Sequence, residues 1–381
     1  MTQMTLTFDA VAEPVPGPKW AARWNRSWPA YETWFIARGG DRGPSQKKCR
    51  EALKRYMPEL IPTYDRLVAV AGGSDRAARF LSTWCPPTYL GGCSLAAVAN
   101  KKDVRLVRNY DLSPELNEGL LLRTEWSGRA VMGMVEFLWG LSDGINDAGL
   151  SVALAYGGRS EVGKGFGVTT IVRYVLEICD TVEEALLALK RVPSHMAYNL
   201  VLADASGQTA SVELAPGGGL KIMPKAVATN HQSGKTLADR PTFTRTFERR
   251  AYLENLQSKP RKLNRKFLRS PLLQDRYAQG FGTLFTAEYD PKALTLGLTL
   301  KGARWDQAIH EFAEGQRTID YAQENVSEAT NNAESGDWGG IDWSQAASVD
   351  WNAVAQDYAN GCGKEISTYF LSETADVLEA A

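Results

Sequence analysis

Cys93 stands directly behind two glycines in the stretch Tyr-Leu-Gly-Gly-Cys-Ser-Leu-Ala-Ala-Val-Ala, and that arrangement could do chemistry on its own backbone. A thiol beside its preceding peptide bond can attack the Gly92 carbonyl. The N-to-S acyl shift gives a thioester, and water then releases residues 1–92 and leaves Cys93 as a new N-terminus. Glycine tolerates the backbone geometry such an attack requires. The freed α-amine, with a reference pKa of about 8, can serve as base for the thiol of the same residue. Such a site also needs a cation to favour the thiolate, a carboxylate to hold the α-ammonium, and donors for an oxyanion. Arg108 and Asp111, in Arg-Asn-Tyr-Asp, lie one strand and one return downstream and could supply the first two. Residue types alone leave plainer readings open. A lone cysteine is commonly a small buried apolar residue, and an Arg-x-x-Asp is commonly a surface ion pair.

Little else in the chain offers chemistry. The five cysteines (Cys49, Cys85, Cys93, Cys179, Cys362) are odd in number and scattered, which suits a reducing compartment better than a disulfide framework. His195, His231 and His310 are far apart, and no Cys-x-x-Cys or His-x-x-x-His pair exists, so no metal or organic cofactor is expected. No Gly-x-Ser-x-Gly elbow supports a serine triad. The loop 156–167, Tyr-Gly-Gly-Arg-Ser-Glu-Val-Gly-Lys-Gly-Phe-Gly, fits neither dinucleotide nor P-loop spacing. It reads as the mobile rim of a substrate pocket, with Tyr156 and Arg159 reaching inward. His231 reads equally as a donor behind the site or as a satisfied core imidazole, and Cys179 as core.

These residues need elements to hold them. Residues 1–92 carry 13 Lys/Arg against 8 Asp/Glu and read as helical: Leu53, Tyr56, Met57, Leu60, Ile61, Tyr64, Leu67 and Val68 fall at helical spacing, interrupted by Pro58 and Pro62. Ser74 is placed to cap a further short helix. From Cys93 onward successive strands are expected in 103–111, 118–126, 129–140 and 149–158. Two helices follow in 168–179 and 180–192, the second with a capping box at Thr181 and Glu184. Strands resume in 197–215, turning at 204–208, and in 219–231; helix is expected around 240–256, and strands close the pattern in 281–290 and 293–302. Strands and helices thus come in blocks, which predicts an α+β layered fold with largely antiparallel sheets. Residues 318–363 hold eight acids and no Lys or Arg, with Trp338, Trp343 and Trp351 at intervals. That region is either a solvated extension or a surface for a partner.

With 381 residues, 44% apolar, 23% charged and a net charge of -1, the chain is of globular type. Nothing in the overall charge favours nucleic acid, no apolar run approaches a membrane span, and the N-terminus has no signal-like pattern, so a cytoplasmic location is expected.

Five motifs in order, Gly-Gly-Cys…Val-Arg-Asn-Tyr-Asp, 141–159, 165–193, 198–213 and Ala-Thr-Asn-His, resemble the self-processing N-terminal-nucleophile (Ntn) acyltransferases and amide hydrolases typified by acyl-CoA:6-aminopenicillanate acyltransferase. More distantly the chain is similar to choloylglycine hydrolases and penicillin V acylases. The likeness runs from roughly residue 20 to 300. It implies a four-layer αββα sandwich with Cys93 opening a central strand. It further implies a helical leader, 1–92, cut off but retained as a separate chain, a catalytic domain 93–315, and an extension 316–381. By position it implies Cys93 as nucleophile, Arg108 and Asp111 beside it, and Asn230 in the oxyanion hole, with Arg245 aligning loosely with a further active-site arginine. Where choloylglycine hydrolases have an asparagine this chain has Tyr156, which argues against a bile-acid substrate. The function expected is thiol hydrolysis of a linear amide, or acyl transfer from a donor such as acyl-CoA; the rival is an inactive relative binding a partner through its acidic tail. Self-association is left open.

Overall fold

A computed structural model describes residues 4–89, 92–234 and 241–322. The acidic stretch with its tryptophans lies almost wholly outside them.

The first sheet has nine strands. In spatial order they are β10 (Leu220–Ile222), β9 (Thr209–Leu214), β8 (Tyr198–Ala203), β7 (Ser151–Tyr156), β6 (Gly140–Asn146), β5 (Val131–Glu136), β4 (Leu120–Thr124), β1 (Thr5–Ala12) and β16 (Gly315–Asp320). The second runs β11 (Val227–Ala228), β2 (Gly92–Ala99), β3 (Val104–Leu112), β13 (Phe281–Asp290), β14 (Thr295–Leu300) and β15 (Ala303–Ala308), with β12 (Asp275–Arg276) also on β13. Pairing is antiparallel throughout except between β1 and β4.

Strand alternation sorts side chains between two faces. Leu6, Phe8 and Ala10 of β1, Met132 and Met134 of β5, and Ala153 and Ala155 of β7 meet Cys93, Leu95, Leu106, Tyr110, Ala287 and Tyr289 of the second sheet in one buried core. The outer face of the first sheet is covered by α1 (Pro18–Ala37), α2 (Gln46–Tyr56), α3 (Ile61–Val70), α4 (Asp75–Ser82), α5 (Val168–Ile178) and α6 (Val182–Arg191). On the outside of the second sheet Ala96, Val107 and Val227 pack against Leu253 and Phe267, from α8 (Thr246–Glu254) and α9 (Asn264–Phe267), which follow the one-turn α7 (Pro241–Thr244). The result is the expected αββα sandwich.

The local signals hold. Ser74 Oγ accepts from the Ala77 amide, Thr181 Oγ1 accepts from the Glu184 amide, and Asp204 Oδ1 closes the turn by accepting from the Ser206 and Gln208 amides. Residues 1–92 are mostly helical, but they also contribute β1, a strand inside the first sheet with partners on both sides. The inward stripe Leu6, Phe8, Ala10 is its sequence signal. β16 starts at residue 315, so the sheet extends past the boundary expected there.

Candidate active site

Cys93 is the second residue of β2, with its side chain buried between the two sheets. In the β2–β3 register Leu95 lies opposite Arg108 and Cys93 opposite Tyr110, so Arg108 shares the inner face with the thiol. Arg108 Nη2 donates to Cys93 Sγ at 3.1 Å, while its Nη1 donates to Asp143 of β6. Its guanidinium also lies 4.3 Å over the Tyr110 ring. Burial pushes the Cys93 thiol up to about 11, and the neighbouring Arg108 charge opposes that rise.

Asp111 lies three residues beyond Arg108 and therefore on the opposite face, across from Gly92. Its Oδ1 accepts from Thr283 Oγ1 at 2.7 Å, and its Oδ2 is 3.7 Å from Arg249 Nη1. Burial raises its pKa against the pull of Arg249. The site is thus supplied from both faces of the second sheet.

β11 pairs with β2 only at Leu95 and Ala96, which leaves the Cys93 amide beyond the ladder. Asn230, just past β11, takes the place of a strand there: its Oδ1 accepts from the Cys93 amide at 3.0 Å, and its Nδ2 donates to the Tyr156 carbonyl at 3.2 Å. Gly92 is required by crowding. A Cβ there would sit 2.3 Å from the Phe281 ring and 2.8 Å from the Asp111 carbonyl.

Cys93, Arg108, Asp111 and Asn230 are therefore brought together. Arg245 is not. It is half-buried, in a left-handed conformation, and paired with Glu248. The arginine in the site is Arg249, four residues on and fully buried. It donates to the Cys93 carbonyl at 2.6 Å, Ser94 Oγ at 2.8 Å and Asn230 Oδ1 at 2.8 Å. The phase of α8 separates the two, because its buried positions, Thr246, Arg249, Arg250 and Leu253, follow i, i+3, i+4 and i+7. That periodicity, anchored on Leu253, is the signal that would have selected Arg249.

Tyr156 is buried with its ring edge-on to Tyr198 and presents its carbonyl to Asn230. Arg159 reaches Gln232 Oε1 at 2.6 Å and Glu161, not the thiol. His231 is a satisfied imidazole: its Nδ1 lies 2.9 Å from Thr246 Oγ1, and burial with Arg250 and Arg249 nearby depresses its pKa to about 4. The second half of the loop 156–167 is hydrogen-bonded into its surroundings. The amides of Gly163 and Phe166 donate to the His195 and Pro193 carbonyls, and that of Gly167 to Thr83. Gly163 and Gly165 let this happen, since a Cβ on either would lie within 2.3 Å of facing backbone. Trp34, Phe80, Tyr89, Phe137 and Thr169, among others, line a narrow apolar cleft of only about 10 Å³. Among the described residues no cluster of His, Cys, Asp or Glu is arranged to hold a metal, and no helix is long and apolar enough to cross a membrane.

No curated protein sequence matches the chain. Among solved structures, penicillin V acylase from Agrobacterium tumefaciens is similar at 15% identity and a TM-score of 0.42, over 60% of this chain and 91% of that one. A mutant of conjugated bile acid hydrolase from Clostridium perfringens gives 16%, 0.37, 64% and 97%. The Caenorhabditis elegans ortholog of N-acylethanolamine-hydrolyzing acid amidase gives 16%, 0.36, 52% and 93%. Residues 98–305, more than half the chain, match the family model for acyl-coenzyme A:6-aminopenicillanic acid acyl-transferase. The chain belongs to that family.

Proposed function

We propose that this chain cuts itself between Gly92 and Cys93 and then acts as a thiol amidohydrolase or acyltransferase through an acyl group carried on Cys93. The observation that carries this reading is the pairing at one residue: Arg108 donates to the Cys93 thiol while Asn230 holds the nitrogen of the same residue. Before cleavage that nitrogen is an amide. After cleavage it is an amine, held by Asn230 beside the sulfur it deprotonates. Arg108 stabilises the thiolate, and Asp111 with Arg249 forms the polar support behind it. The thiolate attacks an amide or thioester carbonyl, the leaving group takes a proton, and water or an amine releases the acyl group. Hydrolysis and transfer use the same residues. They differ in which acceptor reaches the acyl-enzyme.

The released leader is held in place by its contacts with the rest of the fold. β1 lies between β4 and β16, Arg23 Nη2 donates to the Glu118 carbonyl at 2.6 Å, and Tyr31 donates to Glu118 Oε1 at 2.5 Å. Intact mass under denaturing conditions is expected to give two chains of 92 and 289 residues, the latter being 381 minus 92. Cys93→Ala should give the full-length chain alone and no activity. A wild-type protein that stays whole after prolonged incubation refutes the self-cleavage. Incubation with acyl-CoA and primary amines, followed by mass analysis of products, separates transfer from hydrolysis.

A further inference from the structure

Arg108 serves the Cys93 thiol only while one of its nitrogens stays turned toward the sulfur; what holds it there is the question, and the answer rests on the reading of Cys93 as the nucleophile. The guanidinium lies 4.3 Å over the Tyr110 ring, a contact that draws the cation down without deciding which nitrogen faces the thiol. Its Nη2 donates to Cys93 Sγ at 3.1 Å, and its Nε is buried with no partner. Its Nη1 is bound by Asp143 of β6, in the opposite sheet. A guanidinium is a rigid planar fork, so seating Nη1 on a fixed carboxylate sets where Nη2 points.

Asp143 is itself anchored on both oxygens. Ser142 Oγ donates to its Oδ1 at 2.7 Å, and the hydroxyl of Tyr289 in β13 donates to its Oδ2 at 2.8 Å. Burial and the Asp143 charge raise the Tyr289 hydroxyl well above its usual range, so it remains a donor. Arg108, Asp143 and Tyr289 are all fully buried. The strand that carries Asp143 is irregular here. Met134 of β5 lies opposite Asp143 but Val135 lies opposite Leu141, so Ser142 is an extra residue, a β-bulge. Its effect is on facing. Leu141 packs in the outer core under the helices, whereas Ile145, four residues on, packs between the sheets. In an unbroken strand those two would share a face. The bulge changes the face within one residue and turns Asp143 inward to Arg108; re-aiming a side chain beside a site is a common use of bulges.

We propose that Asp143 is the positioning residue of the nucleophile, acting through Arg108 by setting the rotation of the guanidinium so that one N–H stays aimed at Cys93 Sγ. Its part is direction, not charge. The negative charge taken alone works against a thiolate, because like charges in a dry site disfavour one another. An uncharged side chain with an oxygen in the same place should therefore serve, and one without an acceptor should not. Asparagine meets the first condition: its amide oxygen can accept from Arg108 and Ser142 while its NH2 donates to the Tyr289 oxygen. Alanine offers Arg108 nothing. The other titratable groups that bear on the thiol are Tyr110 and Asp111 of β3, Glu136 of β5 and Arg249 of α8, and both substitutions leave them in place.

The test compares the rate of chain cleavage, followed by intact mass at one pH, in full-length wild type, D143A, D143N and R108M, with folding checked by the urea midpoint. D143A and R108M should both cleave roughly 10- to 100-fold more slowly, as loss of one hydrogen bond to a charged group predicts. D143N should stay close to wild type. Should D143A fail to fold, D143L, which fills the space and likewise offers no acceptor, takes its place. A folded D143A or D143L that cleaves like wild type overturns the role. So does a folded D143N as slow as R108M, since charge or packing then matters and direction does not. A wild-type chain that stays whole removes the self-cleavage reading and leaves this one standing, to be read from iodoacetamide labelling of Cys93, located by peptide mass, in the same chains. The same order of rates is expected there, and equal labelling in all of them overturns the role.

Discussion

Two arginines four residues apart, Arg245 and Arg249, have the same chemistry and opposite fates. Arg249 contacts a backbone carbonyl, a hydroxyl and an amide oxygen, and faces the buried Asp111. Removing it strands a carboxylate in a dry site, which costs roughly 3–5 kcal/mol. Arg245 is paired with Glu248 at the surface, where such pairs contribute about 0–1 kcal/mol. In a Cys93→Ala background, which keeps the chain whole, Arg249→Met should lower the urea midpoint strongly and Arg245→Met hardly at all. Equal midpoints would contradict the assignment of the buried cation. The same contrast explains what could be read in advance. Cys93, Arg108 and Asp111 were legible because they lie on two adjacent strands close in sequence. Arg249 sits in a Thr-Phe-Glu-Arg-Arg run that looks like a solvated surface unless the helix phase is fixed by Leu253.

At the scale of elements, the blocks of strands and helices were legible because alternation and capping are local. β1 was the element that composition concealed. Its neighbours make residues 1–92 basic and helical, yet Phe8 is fully buried in the core between the sheets, stacked edge-on to Phe285 at 6.2 Å. Replacing Phe8 with Ala should cost about 3–5 kcal/mol, readable as a lowered urea midpoint. If the leader were only a detachable cover, the midpoint would not move. The loop 157–167 also needed the structure. Glycine-rich composition reads as mobility, but Gly163 and Gly165 are there so that backbone can approach backbone.

For the whole molecule, the leader and the rest share one core. Trp20, Trp24, Tyr31, Trp34 and Phe80 pack with Trp139, Phe166 and Ile171 in a single cluster. Native mass spectrometry of the cleaved protein should therefore give one species with the summed mass of both chains, separating only on denaturation. A free 289-residue chain under native conditions would show the leader to be dispensable after the cut.

The pairing of Thr5 with Asp320 carries a consequence for synthesis. On the ribosome the first strand emerges hundreds of residues before its neighbour β16, and at about 5–20 residues per second it waits tens of seconds for it. The groups around Cys93 arrive late as well: Arg249 and Thr283 follow it by more than 150 residues. If the proposed self-cleavage holds, a chain stalled or broken before these points lacks the groups that would support it. The severed Gly92–Cys93 bond would then serve as a record that translation ran far enough for the sandwich to close.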